Sequence, residues 1–99
     1  MKIPTKFKLH GEEIQVILDN KLAYDTDNRG EAKFRLSTIL LAPSTEDNPR
    51  PQSQVEQTFC HELMHYLFYH GGFSEDMEDE NKVELLGRLL HQALITMEY

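Results

Sequence analysis

Cysteine is nearly absent: Cys60 is the only one in 99 residues, so no disulfide can form within the chain. That lack favours a reducing compartment over a secreted, cross-linked domain. No apolar run is long enough to span a bilayer. The stretch "MKIPTKFKLHGEE" is basic, but no apolar stretch follows it, so it does not read as a secretory signal. The expectation is a cytoplasmic protein with no membrane partner. Positive charge is scarce as well. Ten Lys and Arg stand against 17 Asp and Glu, a net charge of −7. That sign argues against nucleic acid as a partner. No repeat, low-complexity tract or linker divides the chain, and its length suits one domain over residues 1–99. With 39% apolar residues and no staple, the fold must hold by packing, helped at most by a bound metal.

What is present divides into two halves. "KFKLH" alternates, and Ile14, Val16 and Leu18 recur at period two. Residues 19–30 are rich in turn formers and close with Asn28, Arg29 and Gly30. "EAKFRLS" alternates again through Ala32, Phe34 and Leu36, and "TILLAP" is a fourth apolar run ended by Pro43. After the loop "STEDNPRPQ", Ser53 and Glu56 match a capping box. The following helix, 53–70, is apolar on nearly every side and stops at Gly71-Gly72. A second helix at 79–98 carries a core stripe of Val83, Leu86, Leu89, Leu90, Ala93, Leu94 and Met97. The connections in the first half are too short for crossover helices. The expected fold is α+β: three or four mainly antiparallel strands over 1–43, packed on two helices. The acidic run "EDMEDE" at 75–80 reads as a solvated loop or helix start, with docking of a basic partner as the alternative.

The chemistry lies in "HELMH". At 100° per residue, His61 and His65 project from one helix face, one turn apart. Two imidazoles so placed can bind one Zn²⁺ from the same side, and Glu62 lies within reach of a zinc-bound water as its general base. Chance alone gives the pattern in about 2% of such chains, so context must support it. Two buried imidazoles bonded to carbonyls are the plain alternative.

A zinc site of this kind needs a third protein ligand and an open position. His70 lies about 180° from His61 on a continuous helix and reads as a complement to the helix C-terminus. Glu84, between Val83 and Leu85, is the leading candidate, and Glu80, one turn earlier, is the fallback. Gly87 would let the two helices come close. His91, two turns after Glu84, is a candidate to orient a ligand or donate to an oxyanion. Tyr24, Tyr66 and Tyr69 are possible phenol donors, with packing the plainer role.

The motif with its 18-residue gap to Glu84 resembles the gluzincin clan of zinc metallopeptidases. The layout is similar to small phage and bacterial proteins related to the ImmA/IrrE-type metallopeptidases. The resemblance covers residues 53–94, and the strand half matches only in outline. It implies a minimal zincin-like fold with one zinc held by His61, His65 and Glu84, and Glu62 as general base. It also implies a substrate peptide lying along an edge strand, a role that "STILLAP" at 37–43 would fill. Larger clan members carry an Asp four residues after the ligand Glu, which orients the first histidine; Arg88 stands there instead. They also have a second domain walling the cleft, for which this chain has no room.

Two functions of different class follow. One is a zinc-dependent peptide hydrolase. The other is a zinc-stabilised scaffold without activity, binding a protein partner through its acidic surface. An acidic binding protein without metal is a third. An exposed edge strand could also pair two copies into a homodimer.

Overall fold

A computed structural model of the chain describes residues 1–22 and 29–99. Tyr24 and half of the turn-rich segment, residues 23–28, lie outside the described residues. His10 and Gly11 both take positive φ, 49° and 80°, and close a two-residue turn between β1 (Lys6–Leu9) and β2 (Glu12–Leu18). Two further strands, β3 (Gly30–Lys33) and β4 (Thr38–Leu41), complete a sheet of order β1-β2-β4-β3. The class is α+β. The sheet is mixed: the two outer pairings are antiparallel, as expected, while its central pair, β2 and β4, is parallel. The chain leaving β2 goes first to the far edge as β3, and the return strand β4 fills the gap. The range 37–43, expected at the edge, is therefore interior, and Ile39 and Leu41 are fully buried. The edges are β1 and β3.

The β3 strand is shorter than its alternation suggests. A 3₁₀ turn at Phe34–Leu36 follows it, and Ser37 adopts a left-handed φ of 48°. Leu36 consequently faces solvent, as does Leu18 at the end of β2. Ser37 Oγ donates to Glu12 across the turn at 2.9 Å.

The motif helix α1 spans Gln52–Gly71 and ends on Gly72 in the left-handed conformation. The capping box does not form. Pro51 precedes the first turn with no side-chain cap, and the Glu56 side chain turns inward instead. The loop after Gly72 contains a short helix, α2 (Ser74–Glu78). Asp79 then caps α3 (Glu80–Thr96) by accepting from Lys82 N–H at 3.1 Å. Asp76 pairs with Lys82, so part of the acidic run serves the fold. No helix among the described residues is long and apolar enough to cross a membrane.

Ile14, Ile39, Leu41, Phe59, Cys60 and Tyr66 form the core between sheet and α1. Helix α3 is rotated from its expected stripe. Val83, Gly87 and His91 are its buried residues, with Leu90 and Leu94 beside the core, while Leu89, Ala93 and Met97 are exposed. Gly87 explains the rotation. A Cβ there would lie 3.0 Å from His61 Cα and 3.1 Å from His61 N, against backbone that would have to give by a few tenths of an ångström. The glycine is the point of closest approach of the two helices, so the face carrying it turns inward.

One turn beyond Gly87, His91 Nε2 lies 2.9 Å from Glu56 Oε1, and the Met1 amino group donates to the same oxygen at 3.2 Å. Burial opposes the charged form of Glu56. The hydrogen bonds and charges of His91 and the amino group outweigh it and hold the carboxyl below its ordinary value of 4.5.

Two outcomes are expected. Gly87→Ala should push α3 off α1 and lower stability by about 1–3 kcal/mol, the usual cost of overpacking; an unchanged urea midpoint would show that the helices can slide apart freely. Because the folded pKa of Glu56 is depressed, its stabilisation is complete above pH 4.5 and disappears as pH falls through the folded value. The stability gap between wild type and Glu56→Gln should therefore be full at pH 6 and shrink below 4.5. A gap independent of pH would count against a charged Glu56.

Candidate metal centre

His61 and His65 leave α1 toward the start of α3, with ring centroids 5.1 Å apart. His61 Nε2 lies 3.0 Å from Glu80 Oε2, and His65 Nε2 lies 3.1 Å from Glu80 Oε1. On its other side, His61 Nδ1 lies 2.7 Å from Glu84 Oε2. His65 donates to the backbone carbonyl of Met77, which leaves Nε2 to face Glu80. Burial lowers the basicity of His65 further than the Glu80 charge restores it. Arg88 Nε donates to the remaining Glu84 oxygen at 2.9 Å. Burial works against the Glu84 carboxylate, but its bonds to His61 and Arg88 prevail and lower its pKa.

One donor atom each from His61, His65 and Glu80 falls within 4.8 Å of the others. In a tetrahedral site with bonds near 2.1 Å, neighbouring donors sit roughly 3.4 Å apart. The contacts of 3.0 and 3.1 Å run to the two different oxygens of Glu80, which therefore bridges the two rings and stands where a ligand between them would stand. Two imidazoles and a carboxylate are also a donor set that zinc accepts, and each ring holds a hydrogen-bond partner on its far side. The residues present fit the ion.

The expected ligand Glu84 and the fallback Glu80 thus take different places. Glu80 meets the two facing nitrogens, and Glu84 stands behind His61. One helical turn separates the two residues, and both are on the face toward α1. What distinguishes them is where α3 begins. The cap at Asp79 puts Glu80 in the first turn, opposite both rings. In the sequence the two glutamates stand one turn apart on this face, and their spacing alone does not choose between them.

Glu62 is the buried acid of the site, 7% exposed. Its side chain lies against β3, where a Cβ on Gly30 would be 3.1 Å from Glu62 Oε2 and 2.6 Å from Thr58 Cγ2. Gly30 therefore lets the edge strand close on the helix. Burial pushes the Glu62 carboxyl up to about 7. The charges of Glu80 and Glu31 act in the same direction, while His61 and the Ala32 N–H, which donates to the carboxylate, oppose. These groups border a groove of about 700 Å³, with β3 along one wall and Glu80 and Glu84 opposite.

The other candidates lie elsewhere. His91 is not at the site; it is 3% exposed and bonded to Glu56. Two turns beyond Glu84, it meets the N-terminal half of α1 at Glu56 instead. Tyr66 is fully buried, and its hydroxyl donates to the carbonyls of Lys33 and Thr38. Tyr69 stacks on Phe34 at 4.6 Å. His70 is in the last turn of α1, with Nε2 3.1 Å from Glu12 Oε1 and Nδ1 3.3 Å from His10 Nδ1. That grouping joins a helix end to the β1–β2 turn, and no spacing in the sequence foretells it.

Comparison with family models, with curated proteins and with solved structures gave no match. The geometry alone carries the functional reading. It orders the variants. Glu80→Gln should weaken zinc binding more than Glu84→Gln, whose loss should be about 10- to 100-fold, the scale for an orienting partner. His70→Ala should leave affinity unchanged. Competition with a chelator measures all three, and a greater loss from Glu84→Gln would return Glu84 to the ligand set.

Proposed function

We propose that the chain is a zinc-dependent peptide hydrolase, with His61, His65 and Glu80 as ligands of one zinc per chain and Glu62 as general base. The observation that carries this reading is the position of Glu62. It is a buried carboxyl beside His61, pressed by Gly30 to the edge of the groove. A site serving only to brace the fold has no use for an acid there. Zinc bound by these ligands would supply a Lewis acid that lowers the pKa of water and polarises a carbonyl. Glu84 keeps the His61 ring oriented, with Arg88 holding Glu84 in turn. Glu62 takes the proton of the attacking water and can return it to the leaving amine.

The edge strand β3 is the surface for the peptide, in place of the 37–43 segment. Ala42 N–H donates to the Arg29 carbonyl, so period-two alternation directs Glu31 toward β4 and Gly30 and Ala32 outward. Ala32 N–H reaching Glu62 agrees with that direction. An extended peptide adding to this edge would pass directly over Glu62. The HExxH motif itself supports the same reading, although with Glu80 as ligand the gap after His65 is 14 residues rather than the 18 on which the likeness to gluzincins rested.

Protein purified without added metal should contain close to one zinc per chain. With an unfolded protein as substrate, Glu62→Gln should keep its zinc and lose hydrolysis by about 100-fold or more, the scale of general-base loss. Cleavage at the wild-type rate by that variant would refute the mechanism. Full zinc occupancy with no hydrolysis by wild type would favour the scaffold reading.

A further inference from the structure

Arg29 and Arg50 stand together in the wall of the same groove. Both are tied to Ala42: its N–H donates to the Arg29 carbonyl, and its carbonyl accepts from Arg50 Nη1. Arg50 is 8% exposed, yet every acceptor it meets is neutral. These are the carbonyls of Ala42 and Gln54 and the Thr58 hydroxyl, the last at 2.7 Å. Its Nε is buried without a partner. No carboxylate pairs with either guanidinium among the described residues, although acids outnumber bases by 17 to 10. Burial, and then repulsion from Arg29, push Arg50 below its ordinary value. Two neighbouring cations, one largely removed from water, are unfavourable until an anion joins them. The planar fork of arginine suits a carboxylate.

The position is informative. Thr58, which accepts from Arg50, and Glu62 both flank Gly30, and Arg29 directly precedes that glycine. One helical turn, about 5.4 Å, separates Thr58 from Glu62. An extended peptide covers that in about two residues at roughly 3.3 Å each. Elsewhere the groove carries Glu31, Glu80 and Glu84, which would repel a carboxylate placed there. Resting on the peptide-hydrolase reading, we propose that Arg29 and Arg50 form a carboxylate subsite. It anchors a peptide on β3 by an acidic side chain or a C-terminal carboxylate, about two residues from the bond to be cut.

The test uses zinc-loaded protein carrying Glu62→Gln, which binds without turnover. The probes are two pairs of peptides followed by titration calorimetry. One pair is N-acetyl-tetraalanine as free acid and as amide. The other is an acetylated, amidated tetrapeptide with Glu or Gln at its third position. In at least one pair the carboxylate form should bind about tenfold more tightly than its neutral twin. Preference in the first pair assigns the subsite to a chain terminus, and in the second to an acidic side chain. Adding Arg29→Ala should bring the ratio to about one without changing zinc content, and Arg29→Lys should restore part of it. Arg29 is exposed, so its replacement does not threaten the fold. Equal binding within both pairs overturns the subsite and leaves the hydrolase reading intact. A preference that survives Arg29→Ala also overturns it, since direct coordination of zinc would behave that way. Binding of none of the peptides, the neutral ones included, overturns the peptide groove and the subsite together.

Discussion

The backbones of His61 and Gly87 lie so close that a methyl group would fit between them only if one helix gave way by a few tenths of an ångström. Everything at the site depends on this contact. It sets the depth at which α3 packs on α1, and so the reach of Glu80 and Glu84 to the two imidazoles. Both carboxylates are short levers on a helix whose position is fixed about one turn from Glu84 and two turns from Glu80. A shift of half an ångström at Gly87 would be comparable to the difference between a bonded and a broken contact at His61. The loop before α3 adds the second constraint. The short α2 helix and the Asp79 cap take up the slack after Gly72, so α3 starts with Glu80 opposite the rings rather than at an arbitrary register.

Helix α1 buries two glutamates six residues apart, and the fold treats them in opposite ways. Glu56 meets His91 and an amino group, and its carboxyl is held ionised. Glu62 has no cation of that kind in contact; burial raises it toward neutrality, and a single backbone N–H orients it. The first is a closed structural pair. The second is an acid whose charge is not yet spent, placed where the groove opens. The contrast separates the carboxylate that ties the helices together from the one proposed as general base, although both appear as plain acids in an apolar helix.

The HExxH segment, its helix and the division into a strand half and a helix half were legible because they depend on local spacing. So was the role of Gly87, since a glycine inside an apolar stripe calls for close packing. Three things were not. The parallel pairing of β2 with β4 depends on the path between Leu18 and Gly30, which strand patterns do not encode. The rotation of α3 depends on which of two apolar faces meets α1; Leu89 and Leu90 look alike in sequence, and only Gly87 and His91 break the tie. The choice between Glu80 and Glu84 depends on the capped start of α3, a matter of one turn.

The misplaced edge strand has the largest functional consequence. Because β4 is interior, the strand beside Glu62 is β3, and β3 begins immediately after Arg29. The same four residues therefore carry the glycine that admits Glu62, the N–H that orients it and the outward backbone available to an added strand. The arginine that precedes them lies in line with that strand. A peptide paired there would have its register fixed at two points, by backbone bonds over Glu62 and by charge at Arg29 and Arg50. On the proposed peptide-hydrolase reading, such two-point attachment along one edge would let an open groove position one bond over Glu62.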